Sequence, residues 1–353
     1  MTHGLFWALP GPRRFSDALL TDLGQARSTV VRLPAIGVPG FGPCLQHALA
    51  QSGLPCRITE TTEGSNACEQ ILLGLGHTMG LETPQNAIRK ACSGGQRVLA
   101  VTGIGPGEWL AWRSALMIFS HLAAHVPQSE RATLVLVLIG PDYRNTVCTD
   151  GAMQYREWQG VISSSDALCL ADHLLPMREG KPRIREILIH TLASVAMWDH
   201  GLLKHLAGQP PRTILAPSAA LAAYAGGKGW NGNTREDVWL GTAGEYEGRQ
   251  VTHTALSVAR GTKGAVERAL WRAQVRVLLP WVENERLDVV EQLVASGRAR
   301  PSDVSREIGE LFSLHANDRR VKRGLQDRIK RLRQVRNELA HGRNLSREAI
   351  LNA

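Results

Sequence analysis

The chain has 353 residues, of which 43% are hydrophobic and 21% charged, and its formal net charge at pH 7 is +9. This length predicts two domains, or three, and the hydrophobic share is ordinary for a globular protein and sufficient for a full core. The sequence contains no run of about 18 consecutive apolar residues, and its start, MTHGLFWALPGPRRF, lacks the apolar core of a signal peptide. Six cysteines without a C-x-x-C pair are typical of free thiols in a cytoplasmic protein and predict no zinc site.

The first 250 residues alternate between strand-like and helix-like patterns. Short apolar or β-branched runs predict five strands, at residues 28–33, 56–61, 97–102, 132–139 and 167–171. Periodic stretches predict helices at residues 44–52, 84–92, 109–125 and 183–206. The run ATLVLVLI at 132–139 has no polar face, which is typical of a central strand in a parallel sheet. The order of elements predicts a doubly wound α/β domain over residues 1–250, with a glycine-rich loop at 226–244.

From about residue 264 the pattern becomes purely helical. Helices are predicted at 266–279, 281–296, 302–315 and 318–340, with Pro280 ending or kinking the first and Ser302 capping the third. Gly342 is placed to end the fourth helix, and Ser346 to start a short terminal one. The fourth helix has one apolar stripe, formed by Val321, Leu325, Ile329, Leu332, Val335 and Leu339. These features predict an all-α bundle over residues 264–353.

The positive charge is concentrated near the carboxyl end. Between Arg319 and Arg347 there are eleven basic and two acidic residues, an excess of nine that equals the net charge of the whole chain. A basic stripe on one helix is the usual electrostatic footprint of a nucleic-acid-binding protein. A solvated helix face, or contact with an acidic partner, explains the charge equally well.

Classical catalytic motifs are missing from the α/β region. The loop LPAIGVPGFGPC follows the first strand, where a P-loop would lie, but it has no G-x-x-x-x-G-K-[ST] and no lysine to reach a phosphate. The segment GIGPG at 103–107, followed by Glu108, lies between a strand and a helix and is either a tight turn or the wall of a ligand site. Asp150, Glu157 and Asp166 are candidates for a carboxylate cluster, although their spacing does not require one.

The most specific motif is Arg336-Asn337-Glu338-Leu339-Ala340-His341, at the end of the basic helix. Arginine stays cationic and binds phosphate through two parallel hydrogen bonds, whereas histidine transfers protons near neutral pH. This R-x4-H pattern, with asparagine after the arginine, resembles the signature of the HEPN family, small helical domains of which many are metal-independent ribonucleases. The likeness covers residues 264–353. The region before it weakly resembles an AAA/STAND-type P-loop domain that has lost its Walker A motif.

The HEPN likeness implies an endoribonuclease in which Arg336 binds the scissile phosphate, Asn337 orients a catalytic group and His341 is the general acid/base. It also implies a homodimer, because HEPN sites are usually composite and five positions along a helix turn the side chains about 140° apart. The implied partners are RNA and, in bacterial antiphage defence or a toxin–antitoxin-like system, another protein of a defence complex; no metal or cofactor is implied. Backbone contacts to RNA are assigned to the other basic residues: Arg319, Arg320, Lys322, Arg323, Lys330, Arg331 and Arg333.

Two other functions remain open at this point. The chain is alternatively a non-catalytic nucleic-acid-binding or scaffold subunit of a defence complex, which the missing Walker A motif favours. A third possibility is a ligand sensor that binds a nucleotide at the turn 103–108.

Overall fold

The structure, a computed structural model, describes residues 2–61, 64–78, 82–143, 153–176, 182–262 and 264–352. The chain forms two compact units that interleave along the sequence. The sheet unit comprises Met1–Asp166, Trp198–His200 and Arg235–His253, and the helical unit comprises Ala167–Met197, Gly201–Thr234 and Thr254–Ala353. Most of the segment 167–234 therefore groups with the C-terminal helices. The sequential domains 1–250 and 264–353 stay a prediction.

The sheet unit is built on five parallel strands in the order β2-β3-β4-β1-β5. The strands are β1 Ser28–Leu33, β2 Cys56–Glu60, β3 Val98–Thr102, β4 Thr133–Ile139 and β5 Met153–Glu157. The first four match the predicted strands to within one residue at each end. Residues 133–138 are fully buried in β4, as expected for a strand with neighbours on both sides. The predicted parallel α/β architecture is confirmed.

Helices cover both faces of this sheet. The helices of the sheet unit are α1 Thr2–Ala8, α2 Pro10–Gly24, α3 Phe41–Gln51, α4 Ala67–Gly74, α5 Pro84–Cys92 and α6 Trp109–Ala123, with a 3-10 turn at Gln128–Glu130. The β1–β2 crossover runs in the opposite direction to the next two, so right-handed connections place α3 on the face opposite α4–α6. Val30, Leu99 and Leu136 belong to the core that α4–α6 close, together with Trp112 and Phe119 of α6.

The predicted fifth strand is wrong. Residues 167–171 lie in helix α7, Ser164–Leu174, and the fifth strand is Met153–Glu157 instead. The helix begins at a capping box: the Ser163 hydroxyl accepts a hydrogen bond from the Asp166 N–H at 3.1 Å, and the Asp166 carboxylate accepts one from the Ser163 N–H at 2.9 Å. A run of five apolar residues is too short to distinguish a strand from a buried helix. Here the S-x-x-D signature at 163–166, just before the run, indicates the start of a helix.

The loop predicted at 226–244 is only partly a loop. Its first residues finish helix α11, Ser218–Gly227, and its last residues enter an antiparallel hairpin formed by β6 Ala243–Tyr246 and β7 Arg249–Thr252. Glu247 and Gly248 connect these strands with φ angles of 53° and 71°. Two consecutive positive φ values are typical of a type I′ turn, whose twist matches that of the strands.

The helical unit consists of helices packed around one long helix, α13. Its helices are α7 Ser164–Leu174, α8 Pro182–Ala196, α9 His200–Ala207, α10 Pro211–Ile214, α11 Ser218–Gly227, α12 Thr254–Ala259, α13 Gly264–Ala295, α14 Ile308–His315, α15 Arg323–Ala340 and α16 Arg347–Asn352, with a 3-10 turn at Pro301–Ser305. The first residues of α7 and α9 belong to the sheet unit. Helices α8 and α15 pack along α13, and α14 packs on α15. Among the described helices, none has the length and apolar character to cross a membrane.

Three predicted helix boundaries are corrected. The helix expected at 183–206 breaks after Ala196, where Met197 takes a φ of 54°. Pro280 does not end a helix: it is exposed within α13, which continues to Ala295 because both halves of the helix bury apolar residues. The helix expected from Ser302 is split into a 3-10 turn and α14; the residue that precedes α14 is Glu307, whose N–H donates to the Glu310 carboxylate at 3.1 Å.

Helix α15 confirms the predicted apolar stripe, although it begins at Arg323 rather than at residue 318. Val321 and the stripe residues Ile329, Leu332, Val335 and Leu339 are buried, and Leu325 is half-buried. Gly342 ends the helix with a φ of 72°. The hydroxyl of Ser346 accepts a hydrogen bond from the Ala349 N–H at 3.1 Å and so starts α16, as predicted.

Candidate nucleic-acid interface

The end of α15, which carries the R-x4-H motif, is fixed to α13 by side-chain hydrogen bonds. The indole nitrogen of Trp271 donates to the Leu339 carbonyl at 2.8 Å. Gln274 is 3% exposed; its amide oxygen accepts from the Leu345 N–H at 2.8 Å, and its amide nitrogen donates to the Leu345 carbonyl at 3.4 Å. These contacts satisfy backbone groups at and beyond the helix end, where a helix has no partners of its own. The motif therefore lies at a helix end that hydrogen bonds from α13 hold in place, and the sequence did not predict these bonds.

Arg336 and His341 both reach solvent but do not meet. The Arg336 guanidinium is 42% exposed and donates to the Glu307 carboxylate at 3.3 Å. His341 is exposed at the end of α15, and its N–H donates to the Asn337 carbonyl at 3.0 Å. Across the described residues no hydrogen bond joins the Arg336 and His341 side chains. Asn337 lies four positions before His341, the spacing that puts two side chains on one helix face, so it is better placed than Arg336 to orient the histidine.

The seven basic residues assigned to RNA contacts fall into two groups. Five are exposed, and none of the five has an ion pair within the described part of the chain: Arg319, Lys322, Arg323, Lys330 and Arg331. The other two are engaged. Arg320 binds both carboxylate oxygens of Asp318, at 2.9 and 3.0 Å, and Arg333 lies over the Phe312 ring at 4.0 Å. Arg323 and Lys330 are seven positions apart and so lie along one exposed line of α15.

Hydrogen bonds and ion pairs with arginines keep the carboxylates of Asp318 and Asp303 ionised over a wide pH range. Hydrogen bonds from Arg320 lower the pKa of Asp318 to about 2. The Arg300 N–H and the Arg306 side chain lower the pKa of Asp303. Arg328 is held inward by Glu285 and Asp288 of α13, at 2.5 and 3.2 Å, and so does not add to the free positive face.

A polar pocket of about 280 Å³ lies beside Arg336, and we call it the arginine pocket. Its charged and polar lining consists of Glu283, Arg286, Ser305, Arg306, Glu307 and Arg336. Apart from Arg336, none of these residues was singled out from the sequence, because three distant segments form the pocket only on folding. The one available signal was Glu283 and Arg286, an oppositely charged i,i+3 pair on α13.

Within the described residues, the carboxyl ends of the parallel strands do not form a phosphate site of known type. The glycine-rich loop after β1 contributes to a cavity of about 350 Å³ whose lining is almost entirely apolar. The Glu108 carboxylate accepts hydrogen bonds from the Gly64 and Gly105 N–H groups, at 2.8 and 3.4 Å, which agrees with a structural turn at 103–107. The likeness to a P-loop domain stays a prediction.

The predicted carboxylate cluster receives no support from the described residues. Asp150 lies outside them, Glu157 is exposed at the end of β5, and Asp166 is buried in the cap of α7. Within the described ranges no group of three or more histidine, cysteine, aspartate or glutamate side chains is placed to hold a metal ion.

Comparison with known proteins adds no family assignment. No family model matches this chain. No curated protein matches it either. The HEPN likeness therefore depends on the motif and on its position in a helical unit.

Proposed function

We propose that the helical unit is a metal-independent endoribonuclease of the HEPN type. The observation that carries this proposal is that Arg336 and His341 both face solvent at the anchored end of a helix whose outer surface bears unpaired cations. Arg323 and Lys330 attract the RNA backbone along that helix irrespective of sequence, and this attraction brings a phosphate to Arg336.

The reaction requires two proton transfers and stabilisation of a negatively charged phosphate. A ribose 2′-oxygen attacks the adjacent phosphorus, and the bond from phosphorus to the 5′-oxygen breaks, leaving a 2′,3′-cyclic phosphate and a 5′-hydroxyl. His341 takes the proton of the 2′-hydroxyl or, once charged, gives one to the 5′-oxygen. Arg336 holds the phosphate oxygens, where charge accumulates, and Asn337 orients His341.

The separation of Arg336 and His341 favours a site completed by a second copy of the chain. The two residues project about 140° apart around α15, which makes it awkward for one copy of the chain to place both on the same phosphodiester. Two motifs facing each other supply an arginine from one copy and a histidine from the other. By likeness to the family, the sheet unit senses a trigger or partner in a bacterial defence complex.

A non-catalytic RNA-binding subunit is the second candidate. The observation that favours it is the Arg336–Glu307 ion pair, which occupies the arginine that would otherwise bind the scissile phosphate. The two candidates share the RNA-binding surface and differ in whether the phosphodiester bond is cut.

Cleavage of total RNA and tRNA in EDTA tests the proposal. The wild-type protein should release fragments ending in 2′,3′-cyclic phosphate, and Arg336→Ala and His341→Ala should each lose this activity. Arg249→Ala and His121→Ala are the matched controls, since both change exposed residues outside the motif and should cleave as the wild type does. RNA binding by the wild-type protein without any cleavage would favour the RNA-binding subunit over the nuclease.

A further inference from the structure

One wall of the arginine pocket is held in place by hydrogen bonds from Arg286. Arg286 is 13% exposed, and its guanidinium donates to the Glu283 carboxylate at 2.8 Å and to the carbonyls of Val304 and Arg306 at 2.7 and 2.9 Å. These bonds fix the backbone of the segment 304–306 against α13. Because one side chain satisfies two carbonyls and a carboxylate at once, the pocket is held in shape before any ligand arrives.

Two further guanidiniums line the pocket and are more accessible. Arg306 donates its Nε–H to Asp303 at 2.7 Å and its side chain remains 39% exposed, so part of its guanidinium group still faces solvent. Arg336 is 42% exposed and is held by Glu307, through a single bond of 3.3 Å. Planar guanidiniums with free N–H groups bind phosphate oxygens in pairs, which lysines do not.

Glu307 is the weakly held member of this group. Its side chain is 74% exposed, and ion pairs between such exposed groups contribute little to stability because water screens them. A phosphodiester offers Arg336 two acceptor oxygens, whereas Glu307 reaches it with one. A backbone phosphate therefore competes well for Arg336 once a polyanion is attracted to α15.

We propose that the arginine pocket binds a phosphate of the RNA backbone through Arg306 and Arg336, and that Glu307 is the counterion which this phosphate displaces. The proposal builds on the proposed function and deepens it, since it extends the RNA contact from α15 to the segment 301–307. Arg286 acts as a positioning residue by holding that segment in place. In the free protein Glu307 keeps the pocket closer to neutral, and this limits binding of small anions.

RNA binding by charge-changed variants tests the assignment. A fluorescent single-stranded oligonucleotide is titrated in EDTA by anisotropy, and every protein carries His341→Ala so that binding is measured without cleavage. Glu307→Gln should tighten binding about threefold to tenfold, because Arg336 is released without loss of the Glu307 backbone contacts. Arg306→Gln should weaken binding by a similar factor and reduce the slope of log K against log salt by about 0.7, the value of one single-strand phosphate contact.

Glu348→Gln is the matched control for charge. Glu348 is an exposed carboxylate paired with Arg347 at 2.5 Å in the same unit, outside the pocket, so its removal raises the net charge equally and should change affinity less than twofold. Adding Arg336→Gln to Glu307→Gln should abolish the gain, because Glu307 acts through Arg336. Equal effects of Glu307→Gln and Glu348→Gln would overturn the pocket assignment while leaving RNA binding intact. Failure of the parent His341→Ala protein to bind RNA would instead reject the proposed function.

A nucleoside 5′-monophosphate distinguishes a polymer site from a mononucleotide site. We expect the monophosphate not to saturate the protein at concentrations where the oligonucleotide does, because α15 supplies most of the attraction to a polyanion. Saturable monophosphate binding that tightens in Glu307→Gln would overturn the assignment to an RNA backbone.

Discussion

The indole nitrogen of Trp271 donates a hydrogen bond to the carbonyl oxygen of Leu339, at 2.8 Å, and so ties the N-terminal part of the long helix α13 to the last turn of α15. Leu339 is one of the last residues of α15, and its carbonyl also accepts a hydrogen bond from the Gly342 N–H just beyond the helix, at 3.2 Å. The bond from Trp271 fixes the position of the end of α15, from which Arg336 and His341 project, relative to α13. The position of the candidate site thus depends on a residue about seventy positions earlier in the chain.

Trp271→Phe should lower the free energy of unfolding by about 1 kcal/mol, because it removes this hydrogen bond and keeps an aromatic ring in place. Chemical denaturation followed by circular dichroism measures the change. Trp281→Phe is the matched control, since within the described structure the Trp281 indole nitrogen has no hydrogen-bond partner. Equal losses in the two variants would show that ring size, and not the bond to Leu339, supplies the stability.

Gln274→Leu tests the second anchor. The substitution leaves the N–H and carbonyl of Leu345 without their buried amide partner, and we expect a loss of about 1–3 kcal/mol. Hydrogen exchange should show faster opening of the segment after Gly342. Gln292→Leu changes an exposed glutamine of the same helix and should alter stability by no more than about 0.5 kcal/mol. Unchanged exchange in Gln274→Leu would mean that packing alone holds the helix end.

Much of the fold follows from local sequence signals. The strands β1 and β4 are rich in valine and leucine and are buried except for the last residue of β4, and α15 has an apolar stripe with a glycine at its end, so each element is specified by its own residues. Strand β5 is different. It is an edge strand with a half-polar sequence, MQYRE, and it is stabilised by pairing with β1 rather than by its own pattern. The continuity of α13 through Pro280 likewise depends on tertiary packing, which sequence periodicity does not report.

The candidate site was only partly predictable for a related reason. Arg336, Asn337 and His341 occur together in one short motif, and the free cations of α15 follow from its charge pattern. Arg306 and Glu307 belong to a separate segment, and only folding brings them next to Arg336. Asp318 and Phe312 likewise lie outside the motif, and in the folded chain they contact Arg320 and Arg333, two of the seven basic residues assigned to RNA. Charge counting identifies a basic helix but not which of its charges are already neutralised.

Lys330→Ala and Arg323→Ala should weaken RNA binding and make it less sensitive to salt. Each removes an exposed, unpaired cation, so the slope of log K against log salt should fall by about 0.7 per substitution for single-stranded RNA. Anisotropy titrations between 50 and 200 mM salt, a range over which such contacts change affinity by orders of magnitude, measure it. Arg328→Gln should leave the slope unchanged because Glu285 and Asp288 already hold Arg328 on α13. A slope change in Arg328→Gln equal to that of Lys330→Ala would contradict this division of the charges.

Two histidines, the buried His315 and the half-buried His190, should make the helical unit less stable in mild acid. Burial lowers the pKa of His315, a shift that Asp318 and Asp303 oppose and Arg306 reinforces. Burial also lowers the pKa of His190, with Glu186 opposing and Arg276 reinforcing the shift. Below a pH of about 6.5 the unfolded chain therefore binds more protons than the folded one, so the free energy of unfolding should fall as the pH is lowered from 7 to 5.

The double variant His190→Gln/His315→Gln should show a shallower dependence on pH than the wild type over this range, because glutamine does not titrate. Guanidinium denaturation at pH 5, 6 and 7 compares the two proteins. The single variants should each remove part of the slope, since the two histidines lie on different helices, α8 and α14, and act independently. A double variant whose stability falls with pH as steeply as that of the wild type would assign the acid sensitivity to other groups.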